Sequence, residues 1–491
     1  MGSNLVRGGL SFLTILIIAR GLGPEKYGDY AFIFASFSAL RMLLNMGSSD
    51  AFFTFLSQKP RGKKFIAVYA GWQLIQFFLP ILAIGFLIPD SWISYLWVSQ
   101  EKELIVFGFV AVFVQQQAWQ TMIQIGESLR LTHKTQTMNM FAYFLHVLIM
   151  LVFWISGIIS IKLIFMALIF EYILVIAWTY KILGVGKLEG QPFDGKVVWS
   201  EYKEYCIPLV MYSLLAFGHE FVDRWLLQKF SGSTGQAFFS IGYQFAAIGL
   251  VAATSMMRIF WKEIAEAHEN QDVEKIHRLY VKVSRFLFMV ATFFCGFLLP
   301  WSEEIVKLAL GPEFLGGASI LAIMLLYPLH QSVGYVDATL FMASKKTKAQ
   351  LIHGAIFMAV SIPASYLVQA PKDAWMPGLA LGGVGLAWKL VIVQIAQSNA
   401  RAWWNARVYG WKFDWSHQVI GVVSVLPLGW LSYQLAVVVN PFSTSNWVLQ
   451  GGVALSLYTL SIVALVWMVP WLIGFNRDEL LSTYLKLKNY F

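Results

Sequence analysis

Charge is the first thing this chain lacks. Asp, Glu, Lys and Arg together make up 13% of its 491 residues, where a soluble domain carries about a quarter. That deficit excludes an ordinary water-facing globule. Cysteine is almost absent: Cys206 and Cys295 both fall at or within apolar stretches, so no disulfide framework is implied. Long polar intervals are missing as well. The longest run from Leu183 to Glu204 and from Arg258 to Lys282, and neither has room for a separate soluble domain. No GxxxxGKS/T motif occurs, which argues against direct ATP hydrolysis. His219-Glu220 has Asp223 where a zinc-protease helix needs its second His, so that chemistry is excluded too.

Apolar residues fill the space, at 58% of the chain. A membrane-crossing helix needs about 20 mostly apolar residues, and such runs recur here about every 35 residues. The expected spans are 3–20, 28–47, 65–88, 103–125, 138–157, 160–182, 205–229, 236–257, 283–300, 318–341, 349–369, 378–399, 416–439 and 447–474. The chain therefore reads as an all-α polytopic membrane protein of about 14 transmembrane helices. The first span is the weakest, with a short apolar core from Gly8 to Ala19 and Arg7 beside it. Ala19-Arg20-Gly21 has the small-x-small form of a signal-peptidase site, yet a retained span is the expectation.

Basic residues test the span list independently, because cytoplasmic loops hold most Lys and Arg. With the N-terminus inside, 26 of the 36 Lys and Arg fall on the inner side and 7 on the outer, leaving Arg41, Arg224 and Lys389 within spans. A missed or invented span would spoil that asymmetry, so both termini are expected in the cytoplasm. The net charge of +9 follows from the same bias. It points to anionic headgroups and gives no reason to expect nucleic acid.

The interval 184–204, with Gly184, Gly186, Gly190, Pro192 and Gly195, reads as a cytoplasmic linker. It separates an N-terminal six-helix bundle, 1–183, from a second, 205–412. Residues 413–491 then supply two additional helices and a short tail. Glu263 to Lys282 is expected as a charged surface helix. Two local matches favour a duplication: Tyr27-Gly28 with Thr234-Gly235, offset by 207, and His133-Lys134-Thr135 with Lys345-Lys346-Thr347, offset by 212. An even number of spans per half makes the repeats parallel, with a central cavity between them.

Four ionisable residues, His219, Glu220, Asp223 and Arg224, sit in the apolar run from Ile207 to Lys229. Such groups are costly in hydrocarbon and face a polar cavity or another helix, which in a many-span protein suggests transport. His219 with Asp223 and Glu220 with Arg224 are i,i+4 pairs, the second in the favourable order. With the span centred near Phe217, Glu220 lies about 4–5 Å outward and Asp223 about 9 Å, at 1.5 Å per residue. Asp223-Arg224 is expected to be mainly architectural. Glu220 is the stronger candidate for a carboxylate that binds a proton or cation.

Arg41, with Asn45 one turn on, offers the planar donor fork that holds phosphates; the plain alternative is snorkelling or pairing with Asp50. Arg7 and Lys389 carry the same two readings. Glu171 and Asp337 have no basic partner nearby in sequence, and either pair across helices with Arg41 or Lys389 or titrate. His146, His330 and His353 read as packing histidines, because no second ligand sits at a chelating spacing. No metal site or cofactor is expected.

The turn Ala19-Arg20-Gly21-Leu22-Gly23-Pro24-Glu25-Lys26-Tyr27-Gly28 resembles the "aR-x-LG-p-x-x-yG" signature of bacterial polysaccharide (O-antigen) flippases, the Wzx-like members of the MOP superfamily. That superfamily also holds the MATE drug exporters and the lipid II flippase. Pro208, Asp223-Arg224, Gly235 and Gly311-Pro312-Glu313-Phe314 are similar to the pattern of its second half. Here the glycines and Pro24 would make a tight outer turn, and Gly28 would let span 2 begin against span 1.

The resemblance implies two parallel six-helix bundles in a V, alternating access, and residence in the bacterial inner membrane. The implied cargo is a lipid-linked (undecaprenyl diphosphate) oligosaccharide, such as an O-antigen or exopolysaccharide repeat unit. Arg7, Arg41, Arg224 and Lys389 are the candidates to bind it. Glu220, Asp223, Asp337 and Glu171 are the candidates to couple H⁺ or Na⁺. Membrane lipids and other polysaccharide assembly proteins are the implied partners. A MATE-type exporter of cationic compounds is the nearest alternative, and a membrane glycosyltransferase, polymerase or ligase on the same carrier the next.

Overall fold

The computed structural model describes residues 2–98, 100–191, 193–439 and 447–479. Pro192 of the expected linker, and the tail with Lys486 and Lys488, lie outside the described residues. Helices are α1 Gly2–Asn45, α2 Ser48–Gln58, α3 Lys63–Leu82, α4 Asp90–Leu96, α5 Lys102–Val112, α6 Trp119–Ser128, α7 Thr132–Ile155, α8 Ile161–Leu183 and α9 Gly195–Gly249. They continue as α10 Val251–Glu269, α11 Val273–Leu298, α12 Ser302–Ala309, α13 Ala318–Met324, α14 Tyr327–Ala343, α15 Thr347–Gln369, α16 Gly382–Tyr409, α17 Ser416–Val439 and α18 Trp447–Met468. The protein is an all-α polytopic membrane protein.

Nine helices among the described residues are long and apolar enough to cross a bilayer, or ten if residues 312–324 and 327–343, bent by 41°, form one span. Two of the nine run unusually long, Val6–Asn45 and Gly195–Gly249. Each contains one non-helical residue, Gly23 (φ 72°, ψ 171°) in α1 and Gly232 (φ 66°, ψ −174°) in α9. Positive φ is open to glycine at little cost, so each long helix is two of the expected spans joined at a glycine kink. The remaining expected spans, 103–125 and 378–399, fall on α5–α6 and α16, which are richer in polar residues. All fourteen expected spans therefore coincide with helical segments. The two glycine breaks are 209 positions apart, between the two offsets noted in the sequence.

Gly28 also admits the start of the segment after the Gly232 break, where a Cβ would run into the Ser233 carbonyl oxygen. The charged interval before α11 is also not one helix. Asn270 to Asp272 turn the chain, with Gln271 at φ 56°, and Lys275 pairs back to Glu263 at 3.3 Å. The interval after α8 is shorter than expected, because α9 begins at Gly195 and is tied to the loop before α3 by Arg61 and Glu201 at 2.7 Å.

Contacts divide the chain into two compact units. Unit 1 comprises Met1–Ser240 with Met358–Leu386, and unit 2 comprises Ile241–Phe357 with Ala387–Phe491. Unit 1 has an aromatic core in which Phe52 stacks on Tyr69 with ring centroids 4.1 Å apart. In unit 2, α17 and α18 pack beside α11, where the Tyr458 hydroxyl donates to the Phe293 carbonyl at 3.0 Å.

Candidate functional site

In unit 1 the four charges of α9 separate onto different neighbours. His219 Nε2 lies 3.0 Å from Ser361 Oγ, and the Ser365 hydroxyl, one turn further along α15, donates to buried Asp223. Residues 219 and 223 share a face, as do 361 and 365, so the i,i+4 spacing builds two rungs between helices. The expected pairs His219–Asp223 and Glu220–Arg224 do not form. Arg224 turns away, donating to Ser240 Oγ at 3.0 Å and lying 4.7 Å from the Phe239 ring centroid. Glu220, 49% exposed in its side chain, has only His219 Nδ1 nearby, at 3.8 Å. Hydroxyls on α15 and groups beyond the Gly232 kink of α9 satisfy these residues better than partners one turn away.

A second polar cluster lines unit 1 between α1, α3 and the π-helical turn Phe113–Ala118 that joins α5 to α6. Arg41 sits in a narrow slot beside Phe37, Phe109, Phe113, Gln76 and Gln117. Its guanidinium has no hydrogen bond or ion pair among the described residues, and its Nε is buried. No ion pair with Asp50, one of the plain readings, forms at contact distance, although Asp50 is within electrostatic reach. Gln76 donates to the Leu44 carbonyl at 2.5 Å, Gln73 to Thr121 at 2.7 Å and Gln116 to Ser38 at 2.9 Å. Gln76 Oε1, Gln115 Oε1 and Gln117 Nε2 have no hydrogen-bond partner among the described residues. π turns inside α-helices concentrate at functional sites. Sequence reasoning passed over these amides, although three consecutive glutamines in an apolar span were the available signal.

Glu171 is not a lone acid. It is 1% exposed and lies 2.8 Å from His146 Nδ1, and its Oε1 has no hydrogen-bond partner among the described residues. His146 is thus more than a packing residue. Arg7, half-buried in α1, is within electrostatic reach of Tyr172, the next residue after Glu171.

Unit 2 holds the other two candidates. Asp337 on α14 is fully buried, and its Oδ1 accepts from Tyr280 at 2.8 Å and from Asn405 at 3.1 Å. Asp337 Oδ2 has no hydrogen-bond partner among the described residues. Arg401, expected in a cytoplasmic loop, belongs instead to α16, which runs on to Tyr409. It donates to His353 Nδ1 at 3.2 Å and to the Gly334 carbonyl at 3.4 Å, and is within electrostatic reach of Asp337. Both buried acids therefore find partners within their own unit. Lys389, also on α16, is 4% exposed.

No family model matches the chain, and no curated protein sequence matches it significantly. Solved structures do. The lipid II flippase MurJ, in an inward closed conformation, superposes with a TM-score of 0.71 at 14% identity, over 94% of this chain and 98% of that one. An inward-facing multidrug resistance MATE family transporter of the MOP superfamily gives 0.65 at 17% identity, over 83% of this chain and 98% of that one. The fold is that of the MOP superfamily. A MOP superfamily transporter from Pyrococcus furiosus, described by the reverse polarity of its binding pocket, gives 0.56 at 16% identity, over 83% of this chain and 94% of that one. These neighbours are transporters and a flippase, not enzymes. MurJ leaves only 6% of this MOP-fold chain uncovered, about 29 residues, fewer than the 46 in α17 and α18. Its match therefore reaches into the additional helices, whereas the 17% that the MATE match leaves uncovered is large enough to contain them.

Proposed function

We propose that this protein is a flippase that moves a lipid-linked oligosaccharide, carried on undecaprenyl diphosphate, across the bacterial inner membrane by alternating access. The observation that carries the reading is Arg41, a half-buried guanidinium with no hydrogen bond or contact ion pair among the described residues, in a slot where Gln76 and Gln117 stand among apolar side chains. A guanidinium fork suits a diphosphate. Amides both donate and accept, which suits sugar hydroxyls. Arg7 and Arg224 in unit 1 and Lys389 in unit 2 are secondary candidates for the same head. The match to a lipid II flippase through part of α17–α18 supports a lipid-borne cargo, for which an O-antigen or exopolysaccharide repeat unit is the proposed class. The basic-loop asymmetry supports cytoplasmic termini. Membrane lipids and polysaccharide assembly proteins are the proposed partners.

Coupling to H⁺ or Na⁺ belongs to the same proposal. The buried pair Glu171–His146 and buried Asp337 are the stronger carriers; Asp223 is committed to Ser365, and Glu220 is exposed.

The test is reorientation of the lipid-linked sugar in proteoliposomes, together with its accumulation on the inner leaflet when the protein is deleted. Expected is gradient-dependent flipping that Arg41→Gln abolishes. Flipping unchanged by Arg41→Gln would remove the assigned site. Flipping indifferent to collapsed proton and sodium gradients, and to Glu171→Gln, would remove the coupling. No flipping, with altered susceptibility to cationic drugs, would favour a MATE-type exporter. Normal flipping with defective polymer length or ligation would favour an enzyme on the same carrier.

A further inference from the structure

Unit 2 contains a cavity of about 510 Å³, walled by the start of α11, the loop after α16 and the start of α17. Pockets of about 300–1,000 Å³ are the size that takes a small ligand. One wall is a stack of rings. Trp411 lies 4.8 Å from His277 and 5.4 Å from Tyr280, centroid to centroid, and Tyr409 lies nearly parallel to it at 4.9 Å and 7°. Lys346 Nζ caps the far side of Tyr409 at 4.4 Å. Tyr280, Ser284, His417 and Gln418 are buried, while Lys412 and Asp414 are exposed.

The charges are unevenly committed. Arg285 pairs with Asp414 at 2.5 Å and lies 4.4 Å from the Trp471 ring centroid. Lys412 has no ion pair or hydrogen bond among the described residues. Two fixed cations against one carboxylate leave a single positive charge here, before either histidine is counted. An aromatic anchor at a membrane interface needs only lipid beside it. Trp411 instead forms one side of an open cavity, with Lys412 in the same wall.

We propose that this cavity binds a phosphate-headed ligand, a phosphomonoester or phosphodiester whose polar body lies against Trp411 and whose phosphate meets Lys412 and Arg285. An acidic phospholipid headgroup and a soluble organic phosphate share that chemistry. The site uses no residue of unit 1 and does not depend on the proposed cargo.

The test uses the full chain. One arm reconstitutes it in nanodiscs of phosphatidylcholine and phosphatidylglycerol and counts, by mass spectrometry, the lipid retained after detergent extraction. The other follows thermal unfolding with glycerol 3-phosphate. Preferential retention of phosphatidylglycerol, reduced about fivefold by Lys412→Glu, supports a lipid source, since a surface cation contributes roughly that factor toward an anionic lipid. A rise in Tm with glycerol 3-phosphate, lost in Lys412→Glu, supports a soluble one. Asp414→Asn should strengthen either signal by releasing Arg285, and because its sign is opposite, misfolding cannot imitate it. Retention and Tm that do not respond to either probe, or that are the same in wild type, Lys412→Glu and Asp414→Asn, overturn the proposal.

Discussion

Ser233 Oγ donates to Asp29 at 2.5 Å, one residue beyond Gly28, whose missing side chain admits the Ser233 carbonyl. Gln100 and Gln228 complete the cage around the same carboxylate oxygen, at 2.7 and 3.2 Å. The segments that follow the two glycine breaks, at Gly23 and Gly232, are thereby fastened to each other. Gly28→Ala forces a Cβ into a backbone oxygen that cannot rotate aside, and is expected to cost about 3 kcal/mol or more, toward the upper end for overpacking. Asp29→Ala strands three donors and is expected to cost about 2 kcal/mol or more. Thermal unfolding of the purified variants measures both. A Gly28→Ala protein as stable as wild type would show that the two segments do not approach this closely.

Arg41 has the opposite profile. With no hydrogen bond or contact ion pair to lose among the described residues, Arg41→Gln should change stability by no more than about 0.5 kcal/mol while transport fails. Arg41→Lys should not restore transport, because an ammonium is a point charge without the planar fork. Paired measurements of Tm and flipping rate separate this from a structural role, in which both would fall together.

What could be read from the sequence followed local rules. Apolar run length placed the helical segments, and Gly23 before Pro24 marked the break in α1, because both depend on a few neighbouring residues. The partners of the buried charges depended on packing between helices. The i,i+4 spacing put His219 and Asp223 on one face, but Ser361 and Ser365 lie 142 positions away and offered better geometry than either residue gave the other. Glu171 looked solitary for the same reason, since His146 is 25 positions back on the preceding helix. Asp337 required Tyr280 and Asn405, from two further helices. Sequence spacing constrains one helix at a time, and these sites are built from several.

The Glu171–His146 pair predicts strong coupling. Removing one partner of a buried hydrogen bond leaves the other unsatisfied, at about 1–3 kcal/mol. Glu171→Ala and His146→Ala should each approach that cost. The double variant should cost less than their sum, by up to about 3 kcal/mol. Additive losses in a double-mutant cycle on thermal stability would mean that the 2.8 Å contact carries no energy of its own. If the pair also carries the coupling ion, Glu171→Gln should flatten the dependence of flipping on the gradient while the protein still folds.

Asp414 gives a pH dependence whose sign can be worked out. Partial burial pushes its carboxyl upward, but hydrogen bonds from Ser416, Arg285 and the His417 backbone N–H, with the charge of Arg285, outweigh burial and hold it below the ordinary value. A carboxyl depressed in the folded state binds fewer protons there than in the unfolded chain, so its stabilisation is complete above the ordinary Asp pKa of about 3.9. It is lost as pH falls through the lower folded value. As pH falls below that ordinary value, wild type should therefore lose Tm more steeply than Asp414→Asn, whose amide does not titrate. The two curves draw together only below the lower folded value, where wild-type Asp414 is protonated and the Arg285 pair is gone. Parallel curves across that range would show that Arg285 gains nothing from the charge on Asp414, and would leave Arg285 held by Trp471 alone.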